Sequence, residues 1–135
     1  MRYATLDVKT SAHTQMIDIT GMVAKAIKDS GVKSGICMVS VPHTTAAVTI
    51  NENADPDVVR DLIMELDKVI PWTDGYHHME GNSAAHLKSS LTGASEMVMV
   101  EDGRPVLGTW QGLYFCEFDG PRNRKLDIKI IEDNG

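Results

Sequence analysis

The chain has 135 residues, a formal net charge of −6 and 42% hydrophobic residues, enough to bury the core of one domain, residues 1–135, without disulfide staples. Its ordinary apolar and charged fractions exclude disordered and fibrous classes. The acidic balance and the lack of a long basic run argue against sequence-independent nucleic-acid binding, but leave room for a small anion held by local donors.

Tyr3 to Lys9 alternates, with Ala4, Leu6 and Val8 on one face and Thr5, Asp7 and Lys9 on the other, which predicts a half-buried strand. A short strand follows over Gln15 to Ile19. Thr20 offers an N-cap to a helix whose stripe of Met22, Val23, Ala26 and Ile27 ends at Ser30-Gly31. Ile36 to Val41 is a continuous apolar run, expected to be a strand buried on both faces. After Pro42, alternation resumes over Ala46 to Asn51. Asp55-Pro56 starts a helix with a broad apolar face from Val58 to Ile70, stopped by Pro71.

Trp72 to Gly81 reads as a loop, and Asn82 or Ser83 caps a short helix through Leu91 that stops at Gly93. Glu96 to Val100 is a strand, and Asp102-Gly103 a hairpin turn. Gln111 to Phe118 and Lys125 to Ile131 are the last strands, the latter with Leu126, Ile128 and Ile130 inward. About seven strands and two main helices in irregular order give an α+β class. No glycine-rich turn follows a strand, so no nucleotide-binding fold of the usual kinds and no organic cofactor are expected. Cys37 and Cys116 lie in apolar stretches and read as reduced core residues. The first residues show no apolar leader and no run approaches a membrane span, so a soluble, cytoplasmic protein with no membrane partner is expected.

Three segments carry the chemistry. In Tyr76 to Lys88, three of the five histidines lie beside Glu80 and Lys88, and imidazole with carboxylate is the set that binds divalent metals and moves protons near neutral pH. His77, Glu80 and His86 can gather as ligands of a divalent metal (Mg or Zn) or as an acid–base group, with Lys88 holding an anion. The spacing matches no standard zinc signature. His78, adjacent to His77, is expected to point elsewhere. Along Pro42 to Asn53, alternation puts His43, Thr45, Ala47, Thr49 and Asn51 on one side and Ala46, Val48 and Ile50 on the core side. That first face is either a ligand-receiving surface or a solvated face of a half-covered sheet. In Gly108-Thr109-Trp110-Gln111-Gly112, Trp110 suits stacking on a flat ring, with Thr109 and Gln111 as polar readout, or else a wedge at a sheet edge. Arg122-Asn123-Arg124-Lys125 reads as a solvated turn rather than a phosphate site, and His13 as structural.

These segments, in this order, resemble the YjbQ-like family nearly end to end. The resemblance rests on His43-Thr44-Thr45, Asn51-Glu52-Asn53 with Asp55-Pro56, His77-x-x-Glu80-Gly81, Ala85-His86-Leu87-Lys88-Ser89-Ser90 and Gly108-Thr109-Trp110-Gln111. It implies a strand-rich α+β sandwich assembled as a homotrimer, with the histidines near a subunit boundary in a cleft neither protomer forms alone. It also implies a thiamine-phosphate synthase activity that joins a pyrimidine-methyl diphosphate to a thiazole phosphate and releases pyrophosphate. On that expectation His77 and His86, joined by His43, do acid–base or metal work, and Glu80 orients a histidine or completes a coordination shell. Glu52, Asp55 or Glu80 hold magnesium; Lys88, Ser89, Thr44 and Thr45 meet phosphate oxygens; Trp110 stacks on the pyrimidine. Two rival expectations are a metal-dependent hydrolase and a non-catalytic trimeric module that binds a phosphorylated metabolite.

Overall fold

The computed structural model describes residues 2–134. Among them the chain runs β1 (Tyr3–Lys9), β2 (Gln15–Asp18), α1 (Thr20–Ser30), β3 (Gly35–Ser40), β4 (Ala46–Glu52), α2 (Pro56–Val69), α3 (Ser83–Thr92), β5 (Ser95–Glu101), β6 (Arg104–Pro105), β7 (Gln111–Glu117) and β8 (Asn123–Glu132). The α+β class holds. The strand beyond the expected seven is β6, two residues that close the hairpin on β5 through Asp102 and Gly103, both at positive φ.

Two sheets form the body, a five-stranded one in the order β1-β8-β3-β5-β6 and a three-stranded one in the order β2-β7-β4. Their facing sides bury Val8, Cys37, Val39, Val98, Val100, Leu126, Ile128 and Ile130 against Val48, Leu113 and Phe115, with Val23 and Ile27 of α1 closing the same core. A second cluster lies on the other side of the three-stranded sheet, where Ala47, Tyr114, Cys116 and Phe118 pack with Ala85 of α3 and with Val59 and Leu66 of α2. Both cysteines are buried and unpaired, and burial pushes their thiols up to about 11 and about 12.

Three expectations change. β7, not β3, is the strand buried on both faces: it is central in its sheet, with core on one side and helices on the other. β3 instead leaves Ile36 and Met38 exposed, because none of the described residues covers them on the outer face of the five-stranded sheet. The β4 face expected to be open to solvent or ligand is covered at Ala47 by α3. Thr20 is the first residue of α1, not its cap. Its hydroxyl donates to Asp18 Oδ1 (2.6 Å) and accepts from the Leu113 N–H (2.9 Å), tying the helix start to β2 and β7. Asp55 does cap α2, accepting from the Asp57 N–H at 2.9 Å. Yet α2 has no fully buried residue.

One ion pair crosses between the sheets. Glu117 at the end of β7 and Arg124 in β8 both point inward and are 0% and 5% exposed. Arg124 Nε donates to Glu117 Oε1 (2.8 Å) and Nη2 to Oε2. Nη2 also reaches the Thr45 carbonyl and hydroxyl. Thr10 Oγ1 (2.8 Å) and the Asp119 N–H (3.0 Å) complete the carboxylate's shell. Burial would raise this carboxyl, but the bonds from Arg124, the Asp119 N–H and Thr10 outweigh it and hold it below its ordinary value.

Arg124→Met leaves Glu117 buried without its counter-charge, a loss of about 3–5 kcal/mol; denaturant unfolding against the wild type measures it. Because the Glu117 carboxyl is lowered on folding, its stabilisation is complete above the unfolded value of about 4.3 and disappears as pH falls through the folded one. The acid limb of a stability–pH curve is therefore expected to flatten in Glu117→Gln.

Candidate active site at one end of the sandwich

Four connections converge where Glu117 and Arg124 meet: the loop after β1, the β3–β4 segment, the approach to α3 and the β7–β8 turn. The turn comes so close to the first loop that a Cβ on Gly120 would lie 2.4 Å from the Ala12 carbonyl oxygen. Between them opens a polar cleft of about 500 Å³ lined by Thr44, His78, Glu80, Asn82 and His86 together with His43, Thr45, Arg122 and Arg124. On the other side of His78 and His86 lies an apolar hollow of about 510 Å³, walled by Tyr76, His77 and Leu87. The His78 and His86 rings meet edge to face, centroids 5.4 Å apart. They form the ridge between the two hollows.

His43 precedes β4, and its Nε2 accepts from the Lys125 N–H at 2.9 Å. That bond needs an unprotonated Nε2, so the neutral ring carries its proton on Nδ1. Burial, then the Arg124 charge, lowers its protonation below the ordinary histidine range despite Glu117 and Asp127 nearby. His43 is thus a neutral donor, and its Nε2 is withdrawn from metal ligation.

Asp119 organises the cleft's rim. Its Oδ2 accepts from Asn82 Nδ2 (2.9 Å) and Arg122 Nη2 (3.0 Å), and its carbonyl accepts from Arg122 Nε (2.7 Å). His13 Nε2 lies 3.7 Å from Asp119 Oδ1, and its ring meets the Trp72 edge.

Of the residues singled out in the sequence, His43, Thr44, Thr45, Glu80 and His86 share this cleft. His77 lines the adjoining hollow instead. Among the described residues no three His, Cys, Asp or Glu side chains assemble as a metal group, so His43, His77 and His86 form no triad within one chain. Lys88 is buried with its ammonium on Asp67 of α2, and Ser89 Oγ donates to the Ala46 carbonyl at 2.6 Å. Both fasten α3 rather than line the cleft.

The other residues lie at the far end of β4 and β7. The register pairs Ala46 with Glu117 at the cleft and Glu52 with Gln111 at the opposite end, roughly 20 Å away at about 3.3 Å per residue. There Asn51 Oδ1 accepts from the Glu52 N–H (2.7 Å), Asp55 caps α2, Gln111 Oε1 accepts from the Gly108 N–H (2.8 Å), and Thr109 and Trp110 stand exposed. The cleft residues that sequence reasoning passed over are His78, Asn82, Arg122 and Arg124. Strand alternation carried one residue pair back from Leu126 would have turned Arg124 inward.

A family model described as UPF0047 protein YjbQ-like matches residues 4–133. The chain belongs to the YjbQ-like UPF0047 family. It is 55% identical to the UPF0047 protein YugU of Bacillus subtilis, over 94% of this chain and 97% of that one. To a UPF0047 protein of Methanocaldococcus jannaschii it is 52% identical, over 93% and 91%. The crystal structure of a YjbQ/UPF0047 protein from Clostridium acetobutylicum superposes with a TM-score of 0.93 at 56% identity, covering 95% of this chain and 99% of that one. One from Sulfolobus solfataricus, described as of unknown function, gives 0.93 at 30%, covering 97% and 96%. This UPF0047 fold thus extends across bacterial and archaeal members with the sandwich intact.

In an NMR titration the His43 ring is expected to protonate below the ordinary histidine range, and the Lys125 amide to shift in step as its acceptor is lost. A His43 that titrates like an exposed histidine, with the Lys125 amide unmoved, would refute the fixed tautomer.

Proposed function

We propose that the cleft binds a small phosphorylated metabolite and acts on it, with thiamine-phosphate synthesis as the candidate reaction. One observation carries this reading: a ridge of two histidines separates a polar, arginine-lined cleft from an apolar hollow, which suits a molecule with a phosphate at one end and a flat ring at the other.

In that reaction the thiazole nitrogen attacks the exocyclic methylene of the pyrimidine. A C–N bond forms, the C–O bond to the diphosphate breaks, and its electron pair leaves with pyrophosphate. His86 and His78 stand where hydrogen bonds to the departing oxygens stabilise the developing charge. Glu80 faces the same space and suits a divalent cation that arrives with the diphosphate and neutralises it. The metal-hydrolase alternative would need ligands from more than one chain, since no group of three His, Cys, Asp or Glu able to hold a metal occurs among the described residues of this one. No helix among the described residues is long and apolar enough to cross a membrane.

The homotrimer belongs to the same proposal. Ile36, Met38, Met97, Met99 and Ile131 stand exposed on the outer face of the five-stranded sheet, in direct cross-strand register: Ile36 opposite both Met99 and Ile131, Met38 opposite Met97. An apolar patch of this kind marks an interaction surface. Trp110, Glu52 and Asp55, too far from the cleft within one chain, then reach a ligand only from a neighbouring copy.

Mixing the pyrimidine diphosphate, the thiazole phosphate and magnesium with tag-free protein is expected to yield thiamine phosphate, with kcat lowered about 100-fold or more in His86→Ala. Equal product from both proteins would mean a contaminating synthase. Saturable binding of substrate without conversion would favour the binding module instead. The double variant Met97→Glu/Met99→Glu is expected to sediment as a smaller species than the wild type in analytical ultracentrifugation.

A further inference from the structure

We infer that Arg122, Arg124 and His43 form a preorganised subsite for a phosphoryl group, built on the β7–β8 turn. This rests on the proposal of a phosphorylated ligand and names where its phosphate sits.

The two arginines are used alike. Arg122 spends Nε and Nη2 on the Asp119 carbonyl and carboxylate. Arg124 spends Nε and Nη2 on Glu117 and Thr45. In both, Nη1 makes none of these bonds while the residue lines the polar cleft. Arg122 sits in the turn just before β8 and Arg124 in its second position, and both line the one cleft. Beside them in the same cleft, His43, its Nε2 occupied by the Lys125 N–H, has only its Nδ1–H left to offer. Three donors with settled orientation thus border one space. Guanidinium suits phosphate by geometry as well as charge.

The charges refine the ligand class. Each arginine carries its own carboxylate, Asp119 or Glu117, and Glu80 adds another negative charge to the cleft. The wall therefore donates hydrogen bonds without a large positive field. A dianionic or trianionic group fits it best with its own divalent cation, which points to a magnesium–diphosphate rather than free phosphate. Lys88 and Ser89, engaged elsewhere, have no part in it. Glu117 and Asp119 act as positioning residues.

Isothermal titration of the full chain with inorganic pyrophosphate, with and without magnesium, and with inorganic phosphate tests this. The wild type is expected to bind magnesium–pyrophosphate most tightly. Arg122→Gln, at a half-exposed position, is expected to weaken it about 10-fold or more with an unchanged melting temperature. Arg124→Lys is expected to weaken it likewise but to melt lower, because lysine keeps the buried charge and loses the forked bonds to Glu117 and Thr45. The His43 Nδ1 resonance is expected to shift on titration. Wild-type affinity in both arginine variants, or a wild type that binds neither probe at millimolar concentration, overturns the subsite. Substrate turnover with unchanged KM in Arg122→Gln overturns it while sparing the proposed reaction. Arginine-dependent pyrophosphate binding in a protein that forms no thiamine phosphate keeps the subsite and removes the reaction.

Discussion

The Glu117–Arg124 pair is the constraint on which this end of the molecule depends. Two facing sheets can bury apolar side chains along most of their length, but at the end where the loops gather a sandwich must close on polar backbone. Here it closes on two opposite charges, one from each sheet, each with further hydrogen-bond partners. Removing either partner leaves an uncompensated charge in a nearly dry place, which is far worse than losing an exposed ion pair. Thr10, Thr45 and the Asp119 amide are all placed by contact with this pair. The cleft wall is therefore part of the fold's seal, and its arginine is fixed before any ligand arrives.

Much of the fold was legible. The alternation of Tyr3 to Lys9 and the Asp55-Pro56 start of α2 predicted elements that the structure places on those residues, because local chemistry decides them: a period of two for a half-buried strand, a carboxylate cap and a fixed proline φ for a helix start. What failed depended on neighbours. An apolar run such as Ile36 to Val41 reads the same whether its second face meets a helix or lies open, and the sequence of β7 hides its double burial behind a glycine, a tyrosine and a glutamate. The histidine-rich segment was legible as chemistry from composition alone. Its partition was not, since adjacent loop residues such as His77 and His78 obey no periodicity, and the structure gives the polar cleft to the latter. Arg124 was misread because a basic cluster next to a turn usually faces water, as its neighbours Arg122, Asn123 and Lys125 do. Lys88 was misread in the opposite sense, because its neighbours in sequence do not reveal the distant Asp67.

The site residues fall at two poles of one strand pair, and the rigidity of a sheet explains why they cannot drift together. β4 and β7 hold a continuous seven-residue register, so Thr45 and Trp110 stay apart as surely as the ends of a rod. A small ligand held by one protomer therefore cannot touch both. The outer face of the other sheet carries the exposed methionines of β3 and β5, unbranched thioether chains that are more adaptable than branched ones.

Lys88 and Asp67 give α2 and α3 a shared fate. α2 contributes no fully buried side chain to the protomer, so its apolar face alone grips the sheet weakly. The buried ammonium of α3, however, finds its counter-charge on α2. If α2 lifted away by itself, that ammonium would lose its counter-charge and α3 its ionic tie to the rest of the cover. Hydrogen exchange across the two helices should accordingly follow a single opening event, one cooperative unit with a common protection factor, and His86, the half of the histidine ridge carried by α3, would soften only when that unit opens.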